Sequence, residues 1–215
     1  MAQLQVPAGQ RGPAIPGMSG GVHISVPFVA ATLAEIERLG GSRVFLLANN
    51  SSRALVAPLV AALEDKGVLA GPLCTDIGMG GGEAGLLKAA DAAADAAADI
   101  VVTVGGGAVQ DAGKLIRLWL AGRSATSSPA DAGSPSAATP DGIRAVTSLD
   151  PLPALPPQIC CPNSFAMAEL TSVAGMTLSS GVKSGASHPA MMPTTTIFDP
   201  ALAAGLPDWV RFGTF

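Results

Sequence analysis

Residues 99–114 read DIVVTVGGGAVQDAGK, and this stretch decides the fold. Its β-branched, apolar start at residues 100–104 predicts a strand buried on both faces of a parallel sheet. Three glycines then interrupt the apolar run. From Ala108 the apolar residues recur at helical spacing, which predicts a helix over residues 108–121. A strand, a glycine turn and a helix in this order are typical of α/β folds.

The glycine turn is also a candidate ligand site. Three consecutive glycines remove every Cβ from the turn, so a ligand can approach the backbone closely. The first amides of the following helix have no partner within the helix, and the helix dipole is positive there, so an anion such as a phosphate is favoured. The alternative is a tight turn that binds nothing, for which one glycine would suffice.

The decapeptide GGGAVQDAGK resembles a family signature. It is similar to the GGGSxxDxxK motif of the iron-containing alcohol dehydrogenases and their relatives, the maleylacetate reductases and glycerol dehydrogenases. In that family the motif binds the pyrophosphate of a nicotinamide dinucleotide, NAD or NADP. Ala108 takes the place of the usual serine, so one hydroxyl is missing. The matching positions are Gly105, Gly106, Gly107, Asp111 and Lys114.

Two later segments extend the resemblance. CPNSFAMAELTSVAGMT, residues 161–177, is similar to the family loop that contacts the dinucleotide around the nicotinamide and phosphates. MMPTTTIFDPALAAGLP, residues 191–207, is similar to the strand and Asp-Pro turn that follow. A lysine before that strand reaches the dinucleotide ribose in the family. The resemblance therefore implies cofactor contacts by Asn163, Ser164, Phe165 and Lys183, beside Gly105, Gly106, Gly107, Ala108 and Asp111.

A polar turn follows the predicted buried strand at residues 43–48. Polar residues at the carboxyl end of a parallel strand lie where α/β folds bind ligands, and the family has a comparable turn here. We expect Ser51 or Ser52 to cap the next helix, and Asn49 and Ser51 to contact the adenosine as well; the alternative is that these residues only cap the helix. The pair Asn49 and Asn50 lacks the acidic group that would choose between NAD and NADP. An ordinary Rossmann dehydrogenase is disfavoured, because its glycine fingerprint follows the first strand and here the glycines come after the third.

Composition excludes several classes of protein. The chain has 215 residues and a net charge of −4 with no basic block, which argues against a nucleic-acid partner. No run of about 18 apolar residues is present, so no membrane span is predicted. The three cysteines, an odd number with Cys160 and Cys161 adjacent, indicate free thiols in a reducing compartment, the cytoplasm.

The remaining pattern predicts further elements around this unit. Residues 22–26 alternate as a strand, with His23 on its solvated side. Helices are predicted over 27–39, 53–66 and 83–98, a weaker strand over 68–77, and a β-hairpin between 170–177 and 194–198. The fold class is α/β, a Rossmann-like parallel sheet with helices on both faces plus a β-hairpin.

Two groups of residues could suggest a metal, and for both we favour a plainer interpretation. Asp91, Asp95 and Asp99 recur at four-residue spacing on the alanine-rich helix and are interpreted as a solvated stripe. Cys160 and Cys161 are interpreted as buried small hydrophobic residues, since no other Cys or His spacing supports a metal site.

The predicted organisation is a loosely ordered N-terminus at residues 1–20 and a dinucleotide-binding domain at 21–204. Residues 123–142, rich in Ser, Ala, Pro and Gly, are interpreted as a low-complexity insertion without chemistry. Residues 205–215 would begin a truncated helical domain. In the family that all-helical domain carries the metal, Fe or Zn, on an Asp and three His, so we expect it to be absent here.

The resemblance implies an NAD(P)-dependent oxidoreductase. It would transfer a hydride between nicotinamide and an alcohol, a carbonyl or a maleylacetate-like substrate. Catalytic residues cannot be assigned from this half of the family sequence, and a homodimer is left open. The alternative is a non-catalytic dinucleotide-binding module.

Overall fold

The structure is a computed structural model, and it describes residues 11–12, 21–78, 81–125, 138–208 and 210. The strands are β1 (Arg11–Gly12), β2 (Val22–Ile24), β3 (Val44–Ala48), β4 (Ile100–Gly105), β5 (Gln158–Pro162), β6 (Val173–Thr177), β7 (Lys183–Ser187) and β8 (Thr195–Phe198). The helices are α1 (Phe28–Leu39), α2 (Arg53–Asp65), α3 (Glu83–Asp95), α4 (Gly107–Ala125), α5 (Pro140–Ala145) and α6 (Pro200–Ala204).

The main sheet has the strand order β1-β2-β8-β5-β4-β3. Its five strands from β2 to β3 are parallel, and the short β1 pairs antiparallel with β2. Helices connect β2 to β3, β3 to β4 and β4 to β5, and the β6–β7 hairpin lies in the long connection from β5 to β8. The Rossmann-like parallel sheet predicted from the sequence is therefore confirmed.

Helices cover both faces of this sheet, because alternate residues of each strand point to opposite faces. On one face Phe45, Leu47 and Val101 pack with α3 and α4. On the other face Val44, Leu46 and Ile100 pack with α1 and α2. The all-buried strands β3 and β4 show why the sequence has continuous apolar runs there and no alternation.

The hairpin exists, but its second strand was predicted wrongly. β6 pairs with β7, in the register Val173 to Ser187, and the two strands form a separate small sheet. The segment predicted as the partner, β8, instead joins the main sheet between β5 and β2. Lys183 is consequently the first residue of a strand and not part of a turn.

The weaker strand predicted over residues 68–77 is reduced to two isolated bridges beside β3, at Leu69 and Cys74. Pro72 lies between them, and a proline has no N–H to donate to a ladder. Helix α4 continues to Ala125, past the predicted end near Gly122. Residues 140–145 form α5, and the Thr139 side chain accepts the Gly142 N–H at its start.

Both ends of the predicted low-complexity insertion at 123–142 are helical, since α4 continues to Ala125 and α5 begins at Pro140. Ala138 is buried, and its N–H donates to Asp91 at 2.9 Å. Residues 126–137 of the predicted insertion, most of the predicted N-terminus at 1–20, and residues 209 and 211–215 lie outside the described residues.

His23 differs from its prediction as a solvated side chain. It is buried, and its Nε2 lies 3.0 Å from Glu35 Oε1 on α1. Glu35 also accepts hydrogen bonds from Arg38 and Thr195. The alternation of β2 correctly placed His23 opposite the apolar residues, but α1 covers that side of the strand.

The predicted solvated stripe of aspartates is also only partly solvated. Asp91 accepts the Ala138 N–H. Asp99 accepts the N–H groups of Ser42 and Arg43 at 2.9 Å each, and the Ser42 hydroxyl at 2.6 Å. Both carboxylates therefore join segments of backbone. Within the described part of the chain, no helix is both long and apolar enough to cross a membrane.

Candidate functional site

The site is built at the carboxyl edge of the five parallel strands, where α/β folds bind ligands. Each strand is followed by a residue that offers a ligand either a polar side chain or, at the glycine, accessible backbone. In sheet order these residues are Ser25 after β2, Asp199 after β8, Asn163 after β5, Gly106 after β4 and Asn49 after β3.

The glycine turn connects β4 to α4 as predicted. A glycine is needed at each of its three positions for a different structural reason. A Cβ at Gly105 would lie 2.2 Å from Asn49 Oδ1, and one at Gly107 would lie 2.9 Å from the Ala166 Cβ. These two glycines are required by packing within the protein. A Cβ at Gly106 would meet only the Ser164 hydroxyl closely, at 3.1 Å, so Gly106 is the position where backbone is open to a ligand.

Helix α4 begins at Gly107, so the N–H groups of Gly107 and Ala108 stand in its first turn, where no acceptor exists within the helix. The Gly106 N–H is taken by Asn49 Oδ1 at 3.1 Å. The turn thus presents two amides and the positive end of a 19-residue helix at one place. This arrangement suits a phosphate.

Asn49 therefore shapes the glycine turn. Ser51 follows it in a short 3₁₀ turn, exposed at the same edge. Ser52 occupies the N-cap position of α2, but its side chain makes no cap hydrogen bond. Its hydroxyl instead accepts from Asn163 Nδ2 at 3.0 Å. Ser52 therefore stands at the predicted cap position without the side-chain cap bond, and its hydroxyl links the segments that follow β3 and β5.

The loop after β5 lies directly against the glycine turn. The Asn163 N–H donates to the Gly105 carbonyl at 3.1 Å, and Ser164 is the nearest neighbour of an added Cβ at Gly106. Phe165 and Met167 follow with 46% and 56% of their surface exposed. Asn163 and Ser164 are therefore brought beside Gly106, as the resemblance implied, and two large apolar side chains stand next to them.

A cavity of ≈ 490 Å³ opens beside this loop. It lies at the carboxyl ends of β2, β5 and β8. Its lining residues are Ile24, Ser25, Pro162, Asn163, Ser164, Phe165, Met167, Glu169, Phe198, Asp199, Pro200, Ala203 and Ala204. Most of these contribute apolar surface, so the cavity suits a flat, weakly polar group.

Glu169 is the buried carboxyl of this cavity. Its residue surface is 2% exposed, and burial raises the pKa of the carboxyl, although its own backbone N–H and nearby Lys114 act in the opposite direction. Glu169 lies within the family-like segment 161–177, but no pattern in the sequence indicated that it would line a cavity. Met167, with φ of 60°, begins the short 3₁₀ turn Ala168–Leu170 that carries Glu169.

Asp111 and Lys114 form a clamp between α4 and the hairpin side of the site. Lys114 Nζ donates to the carbonyls of Ala168 and Val173, both at 2.6 Å, and lies 3.2 Å from Asp111 Oδ1. Asp111 Oδ2 accepts the Gly175 N–H at 3.0 Å. Both oxygens of the Asp111 carboxylate are thus engaged with the protein, and they hold the loop that carries Glu169.

Lys183 lies at the far end of the hairpin. Its Nζ donates to Thr177 Oγ1 at 2.7 Å. The Thr177 N–H in turn donates to the Gly81 carbonyl, and a Cβ added at Gly81 would lie 3.9 Å from the Ala108 Cβ. Thr177 and Gly81 therefore lie between Lys183 and the start of α4.

The cysteines are free thiols with no role in the site. Cys160 and Cys161 are fully buried in β5, and burial raises the pKa of both thiols to about 12. Across the residues that the structure describes, no group of three or more His, Cys, Asp or Glu side chains is placed to hold a metal. The described side chains do not fit the metal of the family.

Comparison with known proteins agrees with this geometry. The sequence model described as iron-containing alcohol dehydrogenase matches residues 28–200. The chain is 30% identical over 173 residues to a maleylacetate reductase of Rhizobium sp. (strain MTP-10005) and 28% identical over 174 residues to maleylacetate reductase 2 of Cupriavidus pinatubonensis. These alignments cover 80% and 81% of this chain, and the chain spans 38% of the length of each relative.

Solved structures give the same result. The maleylacetate reductase of Agrobacterium tumefaciens superposes with a TM-score of 0.65 at 25% identity, over 90% of this chain and 44% of that one. An iron-containing alcohol dehydrogenase superposes with a TM-score of 0.70 at 18% identity, over 90% and 49%, which shows the likeness of the fold.

Proposed function

The chain belongs to the iron-containing alcohol dehydrogenase family, and on this premise we propose that it forms the dinucleotide-binding part of an NAD(P)-dependent oxidoreductase. The observation that carries the proposal is the junction of an open glycine turn with the cavity. Ser164 both lines the cavity and faces Gly106. A diphosphate and an adjoining ring therefore have neighbouring sites.

In the proposed complex the dinucleotide lies along the carboxyl edge of the sheet. Asn49 and Ser51 contact the adenosine side, and the amides of Gly107 and Ala108 receive the pyrophosphate. The nicotinamide half enters the cavity beside Ser164 and Phe165, and Lys183 provides a cation toward a ribose. Asp111 acts through the clamp with Lys114, holding the cavity loop in place.

The bound nicotinamide supplies the hydride chemistry. The residues of this chain bind it, orient its ring and exclude water from one side with Phe165, Met167 and Phe198. Two of the relatives are named maleylacetate reductases. We therefore propose a maleylacetate-like compound, or else an alcohol or carbonyl, as the substrate class. The three free cysteines agree with a cytoplasmic location.

The proposal is tested by calorimetric titration of the 215-residue chain with NADH, NADPH and ADP-ribose. Gly106→Ala places a methyl group where the diphosphate would approach, and we expect it to weaken all three by about tenfold or more, since each tenfold is about 1.4 kcal/mol. The small methyl is preferable to a β-branched side chain, because the Ser164 hydroxyl can rotate away from it.

Gly205→Ala is the matched control. An added Cβ at Gly205 has no neighbour within 4 Å, and φ there is −91°, so an alanine fits without strain. We expect unchanged affinity for this variant and near-native unfolding curves for both. Undiminished binding by a folded Gly106→Ala variant would overturn the proposed place of the pyrophosphate.

A non-catalytic dinucleotide-binding module is the second candidate. It is separated from an enzyme by following the oxidation of NADH with maleylacetate present. Binding without turnover by this chain would favour the module, whereas steady oxidation that Gly106→Ala abolishes would favour the enzyme.

A further inference from the structure

We infer that Glu169 determines how the nicotinamide ring is oriented in the cavity, by hydrogen bonding to the ring's carboxamide. The inference rests on the proposed function, because it assigns a role within the same site. It makes Glu169 a specificity-determining residue for a ring with a primary amide substituent.

The first support comes from the hydrogen-bond partners of the polar side chains that line the cavity. Asn163 is buried but donates its Nδ2 to Ser52. Asp199 accepts the Phe28 N–H with one oxygen and the Ala201 N–H with the other. Glu169 is buried as deeply as core residues, yet among the described residues its carboxyl forms no hydrogen bond to a residue other than itself.

The second support is the cost of burying a carboxyl that has so few partners. A buried polar group that does not replace its hydrogen bonds to water destabilises a protein by about 1–3 kcal/mol, so native structures keep few of them without a reason. The Glu169 carboxyl has one such partner, its own backbone N–H. Lys114 lowers the pKa of Glu169 through its charge, but its ammonium is held by Asp111 and by the carbonyls of Ala168 and Val173. The carboxyl of Glu169 thus faces a cavity with hydrogen-bonding capacity to spare.

The chemistry of the group selects its ligand. Burial raises the pKa of Glu169, which favours the neutral carboxylic acid. A carboxylic acid has one O–H donor and one carbonyl acceptor side by side. A primary carboxamide presents the complementary C=O and N–H, so two hydrogen bonds form together and fix the ring against rotation.

The main alternative is that Glu169 serves only to hold its own loop. That role predicts a loss of stability when the carboxyl is removed. The inference predicts the reverse, because Glu169→Leu replaces a buried carboxyl, which is hydrogen-bonded only to its own backbone N–H, by an apolar group of similar length. We expect the urea unfolding midpoint of Glu169→Leu to equal or exceed that of the native chain, with Glu169→Gln close to native.

The experiment measures dissociation constants for three ligands in the native chain and in both variants. The ligands are NADH, the reduced 3-acetylpyridine analogue, in which a methyl replaces the amide NH₂, and ADP-ribose, which has no ring. We expect the native chain and Glu169→Gln to bind NADH about tenfold more tightly than the analogue, the value of about one hydrogen bond. Glu169→Leu should reduce this preference to less than about twofold, while all three proteins bind ADP-ribose equally.

The failures are distinguishable. Equal affinity of the native chain for NADH and the analogue, a preference that persists in Glu169→Leu, or an unfolded Glu169→Leu would each overturn the inference while ADP-ribose binding keeps the proposed function. If the native chain binds neither NADH nor ADP-ribose, the proposed function fails, and this inference fails with it.

Discussion

Lys114 has the largest side chain that is completely buried in the described part of the fold. Its ammonium group makes four polar contacts. A lysine is rarely buried unless every donor is satisfied. Here two of its N–H groups donate to the Ala168 and Val173 carbonyls at 2.6 Å, and the Thr171 hydroxyl and Asp111 share the third at 3.2 Å. The buried charge thereby fixes the loop that carries Glu169 onto α4.

Removing the ammonium should be costly. Lys114→Met keeps the aliphatic part of the side chain but removes the buried cation. The Ala168 and Val173 carbonyls then keep only their longer contacts with Thr171, and Asp111 loses its ion pair. We expect a loss of about 3 kcal/mol in the free energy of unfolding, measured by urea denaturation. Lys66→Met at the exposed end of α2 is the control and should stay within about 0.5 kcal/mol of native. A loss of less than about 1 kcal/mol at Lys114 would show that the clamp is dispensable.

Single residues show the limit of sequence reasoning in this protein. The open position Gly106 and its neighbours Asn163 and Ser164 were predicted, because local motifs place them. The burial of His23 and Glu169 was not predicted, because it depends on segments that are distant in the chain. Glu35, which pairs with His23, belongs to a helix whose orientation the sequence does not determine.

At the level of elements, periodicity predicted the strands and helices of the main sheet but not every pairing. β7 reads KSGAS, with small and polar residues and no apolar alternation, so it gave no strand signal. It pairs because β6 packs on α4 and offers it a free edge. β8 has a stronger strand pattern, and it pairs with β2 and β5 in the main sheet.

Asp99 joins the starts of β3 and β4, and its contribution depends on pH. Burial raises the pKa of Asp99, but hydrogen bonds from Ser42 and Arg43 outweigh burial and leave the pKa below its usual value. The stabilisation is therefore complete above the unfolded-state pKa of about 3.9 and is lost as the pH falls through the folded-state value.

We expect Asp99→Asn to be about 1 kcal/mol less stable than native at neutral pH, a value kept low by solvent exposure. The difference should shrink as the pH falls below about 4. Urea denaturation at a series of pH values checks this. A constant difference between the two proteins across that range would mean that the charge of Asp99 has no part in the junction.

At the scale of the whole molecule, one sheet carries two apolar layers. Leu115 belongs to the layer of α3 and α4, and Leu59 belongs to the layer of α1 and α2. Strands β3 and β4 contribute alternate residues to both layers. Neither layer can lose its packing without disturbing strands that the other layer needs.

We therefore expect a single cooperative unfolding transition. Leu59→Ala and Leu115→Ala should each lower the free energy of unfolding by about 2–5 kcal/mol and shift the same transition. Calorimetry checks this by comparing the measured enthalpy with the van 't Hoff enthalpy. Two separate transitions in either variant would show that the layers unfold independently.

The neighbouring thiols of β5 have a practical consequence. Cys160 contacts Thr103 on the α4 side, and Cys161 contacts Thr32 on the α1 side, so adjacent residues report on opposite layers. Cys74 is half-buried and should react first with a thiol reagent in the native protein. The other two become alkylated only when the sheet opens. Mass spectrometry of labelled peptides from Cys160→Ala and Cys161→Ala therefore checks the single transition from inside the sheet: equal alkylation rates at the two remaining thiols mean that both sides of the sheet open together.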